Sequence, residues 1–175
     1  WNLSLLLLKL KLFKEGWDKY EWRWKQESKN AKLRLKTNKP IWNPGQRGCL
    51  LLWGEQGLGD QLLFLTLVPD LLDKIDRLIL KIDKRLIPIL ERSIDKKITL
   101  MSKEDHLDEN KYDYHLPIGS LAKYLRPTLK SFTSSKNINL LDNKEKTKEY
   151  RKRLSRNEHK NLVGISWTSK SKNFP

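Results

Sequence analysis

Cys49-Leu50-Leu51-Leu52-Trp53-Gly54-Glu55-Gln56-Gly57-Leu58-Gly59-Asp60 is the stretch whose reading decides the fold. Its first five residues form an unbroken apolar run, the pattern of a strand buried on both faces of a parallel sheet. Three glycines follow within six residues. Asp60 then opens a helical pattern through Leu62, Leu63, Leu65 and Leu67, which Pro69 is expected to end or kink. Downstream, the same texture repeats. Strands are predicted at Leu78–Ile82, Ile98–Leu100, Tyr112–Leu116 and Leu162–Trp167, and helices at Lys84–Ser93, around Ser120–Leu125 and at Lys144–Ser155, with residues 102–111 as polar loop. Strands alternating with helices predict an α/β fold with a three-layer parallel sheet, in which ligands sit beyond the carboxyl ends of the strands.

The strand–glycine loop–helix unit is the strongest local signal. Glycines let the backbone turn sharply and approach a ligand closely, and free N–H groups at a helix N-terminus favour an anion. Two familiar forms do not fit. No Lys-Ser or Lys-Thr follows the loop, so it is not the triphosphate-binding kind. The order Gly54, Gly57, Gly59 also reverses the dinucleotide fingerprint. Two readings of Asp60 stay open: a helix cap in a tight turn, or a carboxylate presented for chemistry.

Upstream of this unit, residues 1–25 read as a helix pair. Leu3, Leu6, Leu7 and Leu10 recur at helical spacing, as do Phe13, Trp17, Tyr20 and Trp24, so the aromatic stripe is expected to pack inward or onto the α/β domain. Residues 26–45 read as a basic linker that ends in the Asn43-Pro44-Gly45 turn. The α/β domain is expected over 46–160 and the start of a second such domain over 161–175. The chain opens on Trp1 and stops on Pro175 just after a strand-like run, which leads to the expectation that it is part of a longer protein.

Composition narrows the function classes. The 175 residues carry 36 basic and 21 acidic side chains, a formal charge of +15. The excess lies at the ends, +7 in residues 1–40 and +6 in 142–175, against +2 between them. The basic residues are mainly lysine, whereas base reading leans on arginine, so the pattern argues against evolved nucleic-acid recognition. Cys49 is the single cysteine, which excludes a disulfide scaffold and suggests a reducing, cytoplasmic setting. The longest aliphatic run, Leu5–Leu8, is too short to span a bilayer. His106, His115 and His159 share no metal-ligand spacing, so no metal is implied. Glu55 and Asp60 are close enough in sequence to form a carboxylate pair. His115 either lines the cleft or is a satisfied structural histidine.

Leu52-Trp53-Gly54-Glu55-Gln56-Gly57-Leu58-Gly59-Asp60, with Phe64 and Val68-Pro69 behind it, resembles the opening of a bacterial glycosyltransferase-like family with tetratricopeptide repeats fused upstream, related to the lipopolysaccharide heptosyltransferases. Three weaker blocks extend the likeness. Asn2-Leu3-Ser4 through Tyr20-Glu21-Trp22-Arg23-Trp24 is similar to the family's last repeat. Tyr112-Asp113-Tyr114-His115-Leu116-Pro117 resembles its fourth-strand segment, and Val163-Gly164-Ile165-Ser166-Trp167 the first strand of its second half. The resemblance implies the N-terminal, Rossmann-like half of a two-domain GT-B enzyme that transfers a sugar from a nucleotide-sugar donor to a hydroxyl of a glycan or protein acceptor. It implies Asp60 as catalytic base, with Gly54, Glu55, Gln56, Gly57, Gly59 and His115 on the acceptor side. The terminal Lys172-Asn173-Phe174-Pro175 resembles a donor-phosphate motif, which implies donor contacts from Thr168, Ser169 and Lys172. This half alone is expected to be inactive. The rival reading is an inactive scaffold that docks a protein partner through its helix pair.

Overall fold

The computed structural model describes residues 1–25, 34–95, 97–133, 136, 138–154 and 163–165. The chain divides into two compact units, residues 1–141 and 142–175. In the first, β1 (Cys49–Trp53), β2 (Arg77–Ile82), β3 (Ile98–Ser102) and β4 (Tyr114–Pro117) form one all-parallel sheet in the order β3-β2-β1-β4. β1 is buried along its whole length, as its apolar run predicts. The chain steps from β1 to β2 to β3, then returns to the other side of β1. Strand order therefore reverses at β1 and β4, where a parallel sheet opens a crevice beyond its carboxyl ends. The expected α/β, Rossmann-like fold is the one observed.

The two faces of the sheet are covered differently. Leu50 and Leu52 of β1, Leu78, Leu80 and Ile82 of β2, and Leu116 of β4 point to one face. They pack under α3 (Leu58–Leu65), α4 (Val68–Leu71), α5 (Ile87–Leu90) and α6 (Leu121–Leu125). Cys49, Leu51, Trp53 and Ile79 point to the other face. Trp24, Leu35, Met101, Leu107 and Tyr112 cover them from non-helical segments and the edge strand β3. Residues 34–42 are held there by bonds from Tyr112 Oη to Thr37 Oγ1 (2.8 Å) and from the Asn38 N–H to Glu109 Oε1 (3.1 Å). The N–H of Trp42 then donates to the His115 carbonyl, and that of His115 to the Pro40 carbonyl, which covers the exposed edge of β4.

α1 (Asn2–Lys9) and α2 (Phe13–Tyr20) are joined by a two-turn corner with Lys11 in the left-handed region, φ 62°. Gly16 lets them meet closely, since a Cβ there would lie 2.7 Å from Leu8 Cδ2 and 3.1 Å from the Leu8 nitrogen. The aromatic stripe does pack against the α/β domain. Trp17 and Tyr20 stack on Phe64 of α3, the Trp17 indole donates to the Arg126 carbonyl (2.9 Å), and Phe13 meets Phe132 of α7 (Lys130–Thr133). Trp24 leaves that face, because the chain tightens into a 3-10 turn at Glu21–Trp24 and carries it to Trp53 on the sheet's other side. The leucine stripe behaves otherwise. Leu3, Leu6 and Leu10 are 54%, 53% and 61% exposed, because α1 docks through Trp1, Ser4 and Leu8 instead.

Three local expectations are corrected. The first helix begins at Leu58 and ends at Leu65, and Pro69 sits in the first turn of α4, where its missing N–H costs nothing. Pro88 plays the same part in α5. The fourth strand begins at Tyr114 rather than Tyr112. Of the strand expected at Leu162–Trp167, Leu162, Ser166 and Trp167 lie outside the described residues; Val163, Gly164 and Ile165 are not in a strand, and Val163 and Ile165 are 82% and 77% exposed. The second unit's described structure is α8 (Lys144–Leu154), a helix with no buried residue. Asn143 starts it by accepting from the Lys146 N–H, and the Thr147 hydroxyl donates to Asp142. No helix among the described residues is long and apolar enough to cross a membrane.

Candidate functional site

The loop after β1 is built by two buried polar residues rather than by unusual backbone. The Gly54 N–H donates to the Lys81 carbonyl at 2.8 Å, continuing the ladder one step beyond the strand. Gln61, fully buried in α3, then clasps both sides of the turn. Its Nε2 donates to the Gln56 carbonyl (2.7 Å), and its Oε1 accepts from the Asp83 N–H (3.0 Å) at the end of β2. A Cβ on Gly54 would lie 2.5 Å from that Oε1. The glycine is thus required by the close approach of Gln61. None of Gly54, Gly57 and Gly59 has a positive φ; that region is used by Gly45 and Gly48. Gly57 has φ −61° and ψ 169°, and a Cβ on Gly59 would meet nothing within 4 Å.

Glu55 and Asp60 do not form a pair. The Glu55 carboxylate is buried and accepts from Arg23 Nη2 (3.1 Å) and the Gly119 N–H (3.2 Å). A Cβ on Gly119 would stand 2.6 Å from Glu55 Oε1, so a glycine is needed there too. Burial pushes the Glu55 carboxyl above its ordinary value, while Arg23 and the N–H of Gly119 pull it back.

Arg23 holds this junction and went unnoticed in the sequence. It is 1% exposed. Nη2 also donates to Ser120 Oγ (2.6 Å), and Nη1 to Glu21 Oε1 (2.7 Å) and the Tyr20 carbonyl (3.3 Å). The guanidinium lies over Tyr20 and Trp24, 4.7 and 4.6 Å from their ring centres. Ser120 closes the circuit by donating to Glu21. The signal was present in Tyr20-Glu21-Trp22-Arg23-Trp24, an arginine among aromatics with a carboxylate beside it, in a chain whose cations are mostly lysines. Gln56 adds a further tie, its Nε2 donating to Tyr20 Oη at 2.8 Å. The helix pair is thereby bolted to the loop through Arg23, Glu55, Gln56 and Tyr20.

Asp60 stands apart. Gly57 is the N-cap of α3, so Asp60 is the third helical residue rather than the cap. It is exposed and makes no hydrogen bond or ion pair among the described residues. One carboxylate oxygen turns back over Gly57, where a Cβ would approach it to 3.1 Å. A carboxylate in a helix's first turn is favoured by the helix dipole without being consumed by it.

His115 is not at the loop. It pairs in register with Leu51, two residues short of the end of β1, and its side chain shares the face of Trp53. Its Nδ1 accepts from Trp53 Nε1 at 3.2 Å, which places the ring proton on Nε2, and it lines a small hollow of about 110 Å³ with Trp24 and Trp53. Burial, with Arg34 nearby, holds its pKa below the ordinary value. Thr168, Ser169 and Lys172 lie outside the described residues. Among the described residues no cluster of three His, Cys, Asp or Glu is arranged to hold a metal.

The fold and this junction define a Rossmann-like α/β protein whose N-terminal helices are locked onto the loop at the carboxyl end of its first strand. No family model matches the chain, and no solved structure matches it. Among curated proteins it is similar to Protein FlbA of Caulobacter vibrioides, 27% identical over 185 residues that take in 95% of this chain and 30% of FlbA. The chain thus spans under a third of the length of that relative.

Proposed function

We propose that these residues form the acceptor side of a GT-B glycosyltransferase, with Asp60 as the base that takes a proton from an acceptor hydroxyl. A single observation carries the reading: of the two carboxylates that flank the turn after β1, Glu55 is sealed into the fold, whereas Asp60, in the first turn of α3, is exposed with no hydrogen bond or ion pair among the described residues. A general base needs an oxygen free toward its substrate, at the sheet edge where α/β ligands bind. As the acceptor oxygen attacks the anomeric carbon of a nucleotide sugar, its proton passes to Asp60 and the nucleotide leaves with the electron pair of the broken bond. The donor belongs to the second half of such an enzyme, so activity is sought in a chain that carries both halves. There, Asp60→Asn keeps the shape and removes the proton acceptor; transfer is expected to fall about 10²–10⁴-fold with folding unchanged. Near-normal turnover would end this assignment.

A second reading has its own observation. α1 presents Leu3, Leu6 and Leu10 to solvent on one side, which suits a protein partner and an inactive scaffold. It predicts no transfer in any assay, and lost association with that partner in Leu6→Glu.

A further inference from the structure

The second face of the sheet ends in a cationic hollow whose lysines and arginine the transferase reading does not use. Trp53, Lys81 and Met101 are in register across β1, β2 and β3, so their side chains share that face near the carboxyl ends of the strands. Lys103 follows directly, its N–H bonded to the Ile82 carbonyl. Arg34 and Lys36 reach over from the covering segment. With Gly54 and Glu55 they enclose a hollow of about 350 Å³, the size of a small-molecule site.

The charges of this hollow are unbalanced. Lys81 Nζ donates to a backbone carbonyl, that of Asp105, at 2.6 Å, and among the described residues Lys103 Nζ reaches the Gln56 carbonyl at 3.5 Å. Among the described residues no carboxylate forms an ion pair with Arg34, Lys36, Lys81 or Lys103. The nearby acids are engaged elsewhere: Glu55 by Arg23 and Gly119, Asp83 by Arg85, and Glu104 and Asp105 by Ser102. Asp83, Glu55 and Glu104 lie near enough to offset the burial of Lys103 in part, yet a half-buried lysine without a direct carboxylate contact is costly, and burial still pushes its ammonium below the ordinary value. An anion in the hollow would remove that cost. It would gain charge-assisted hydrogen bonds from two ammonium groups whose carbonyl partners already fix their direction.

We infer that this hollow is an anion site for a phosphate or carboxylate group carried on a sugar-sized ligand, with Lys81 and Lys103 as its principal contacts and Lys36 and Arg34 at its rim. Assigning that anion to the acceptor rests on the transferase reading; the site itself does not. The hollow is on the Trp53 face of β1 and Asp60 is on α3, which packs on the other face; both belong to the carboxyl end of β1.

The test is a calorimetric titration of this chain at moderate salt with glucose 6-phosphate, glucuronate, inorganic phosphate and glucose. Glucose 6-phosphate or glucuronate is expected to bind saturably, about tenfold or more tighter than glucose, and whichever binds better names the group. Inorganic phosphate should compete. Lys81→Met with Lys103→Met should weaken binding about tenfold or more, and Lys36→Gln, at the exposed rim, about two- to threefold. Lys146→Met with Lys148→Met on α8 removes the same charge and should change nothing. Equal weakening by the α8 pair, or glucose binding as well as the anions, would overturn the site, since diffuse attraction to a +15 chain predicts that result. The two proposals fail separately. Saturable anion binding beside full transfer by Asp60→Asn would leave the site and remove the base. Transfer lost in Asp60→Asn with no saturable anion binding would do the reverse.

Discussion

The two faces of the sheet solve the same burial problem with different materials. On one, aliphatic residues of β1, β2 and β4 meet helices, and the side chains there are close to fully buried and nonpolar. On the other, Trp24, Trp53, Tyr112 and a strap at residues 34–42 cover a smaller cluster, and lysines and a histidine share the surface. The helical face can be sealed because helices satisfy their own backbone groups. The strap cannot do that, so it borrows bonds from Glu109, Tyr112 and β4, and leaves polar side chains room at the strand ends. The larger nonpolar cluster is on the first face, and the lysines of the hollow and His115 are on the second.

The largest expected effect is at the bolt between them. Arg23→Met strands Glu55 in a buried site and should cost about 3–5 kcal/mol in urea unfolding, whereas adding Glu55→Met to it should recover part of the loss. If the double variant is as unstable as the sum of the two single ones, the pair is not a unit. Next come neighbours on opposite faces of β2. Leu80→Ala removes a fully buried side chain and should cost about 4 kcal/mol, against about 2 for Ile79→Ala under the thinner cover. Equal costs would mean that the strap packs as tightly as the helices.

The loop offers a finer contrast. Gly54→Ala drives a methyl into Gln61, which is pinned at both ends, and should cost about 1–3 kcal/mol. Gly59→Ala meets open space at a helical φ and should gain about 0.4–1 kcal/mol. A loss at Gly59 in unfolding measurements would show that the backbone there needs a glycine after all.

The smallest effect is a matter of sign. His115 is held neutral in the fold, so its pKa lies below that of the unfolded chain, near 6.5. As pH falls from 7.5 toward 5, the unfolded state takes up the proton more readily and stability declines; the contribution is fully present only above the unfolded value. His115→Gln should flatten that part of the urea-midpoint profile. An unchanged slope would mean that the decline comes from other groups.

Much of the fold was legible in the apolar runs, because a central parallel strand must be apolar on both sides and little else produces Cys49–Trp53 followed by glycines. The strand order β3-β2-β1-β4 was not legible, nor were the helix starts at Val68 and Ile87, each with a proline as its second residue. Proline is punctuation in either direction, and only tertiary contacts say which. At the site, a glycine turn after β1 followed by a helix was legible, although the helix already begins at Leu58 and so takes in Gly59 and Asp60; the division of labour between Glu55 and Asp60 was hidden. Glu55 and Asp60 are the same chemistry five residues apart; what separates them is Arg23, brought from 32 positions upstream by the packing of α2. The leucines of α1 make the same point in reverse, since periodicity names a stripe that can be buried and only a neighbour decides whether it is. Sequence by itself located the four strands of the sheet, to within two residues at their ends, and the turn after the first, through local pattern and backbone limits. Tertiary structure alone decided which charges are sealed, which are left free and which gather round a hollow, because burial and Coulomb attraction act between residues that the chain keeps far apart.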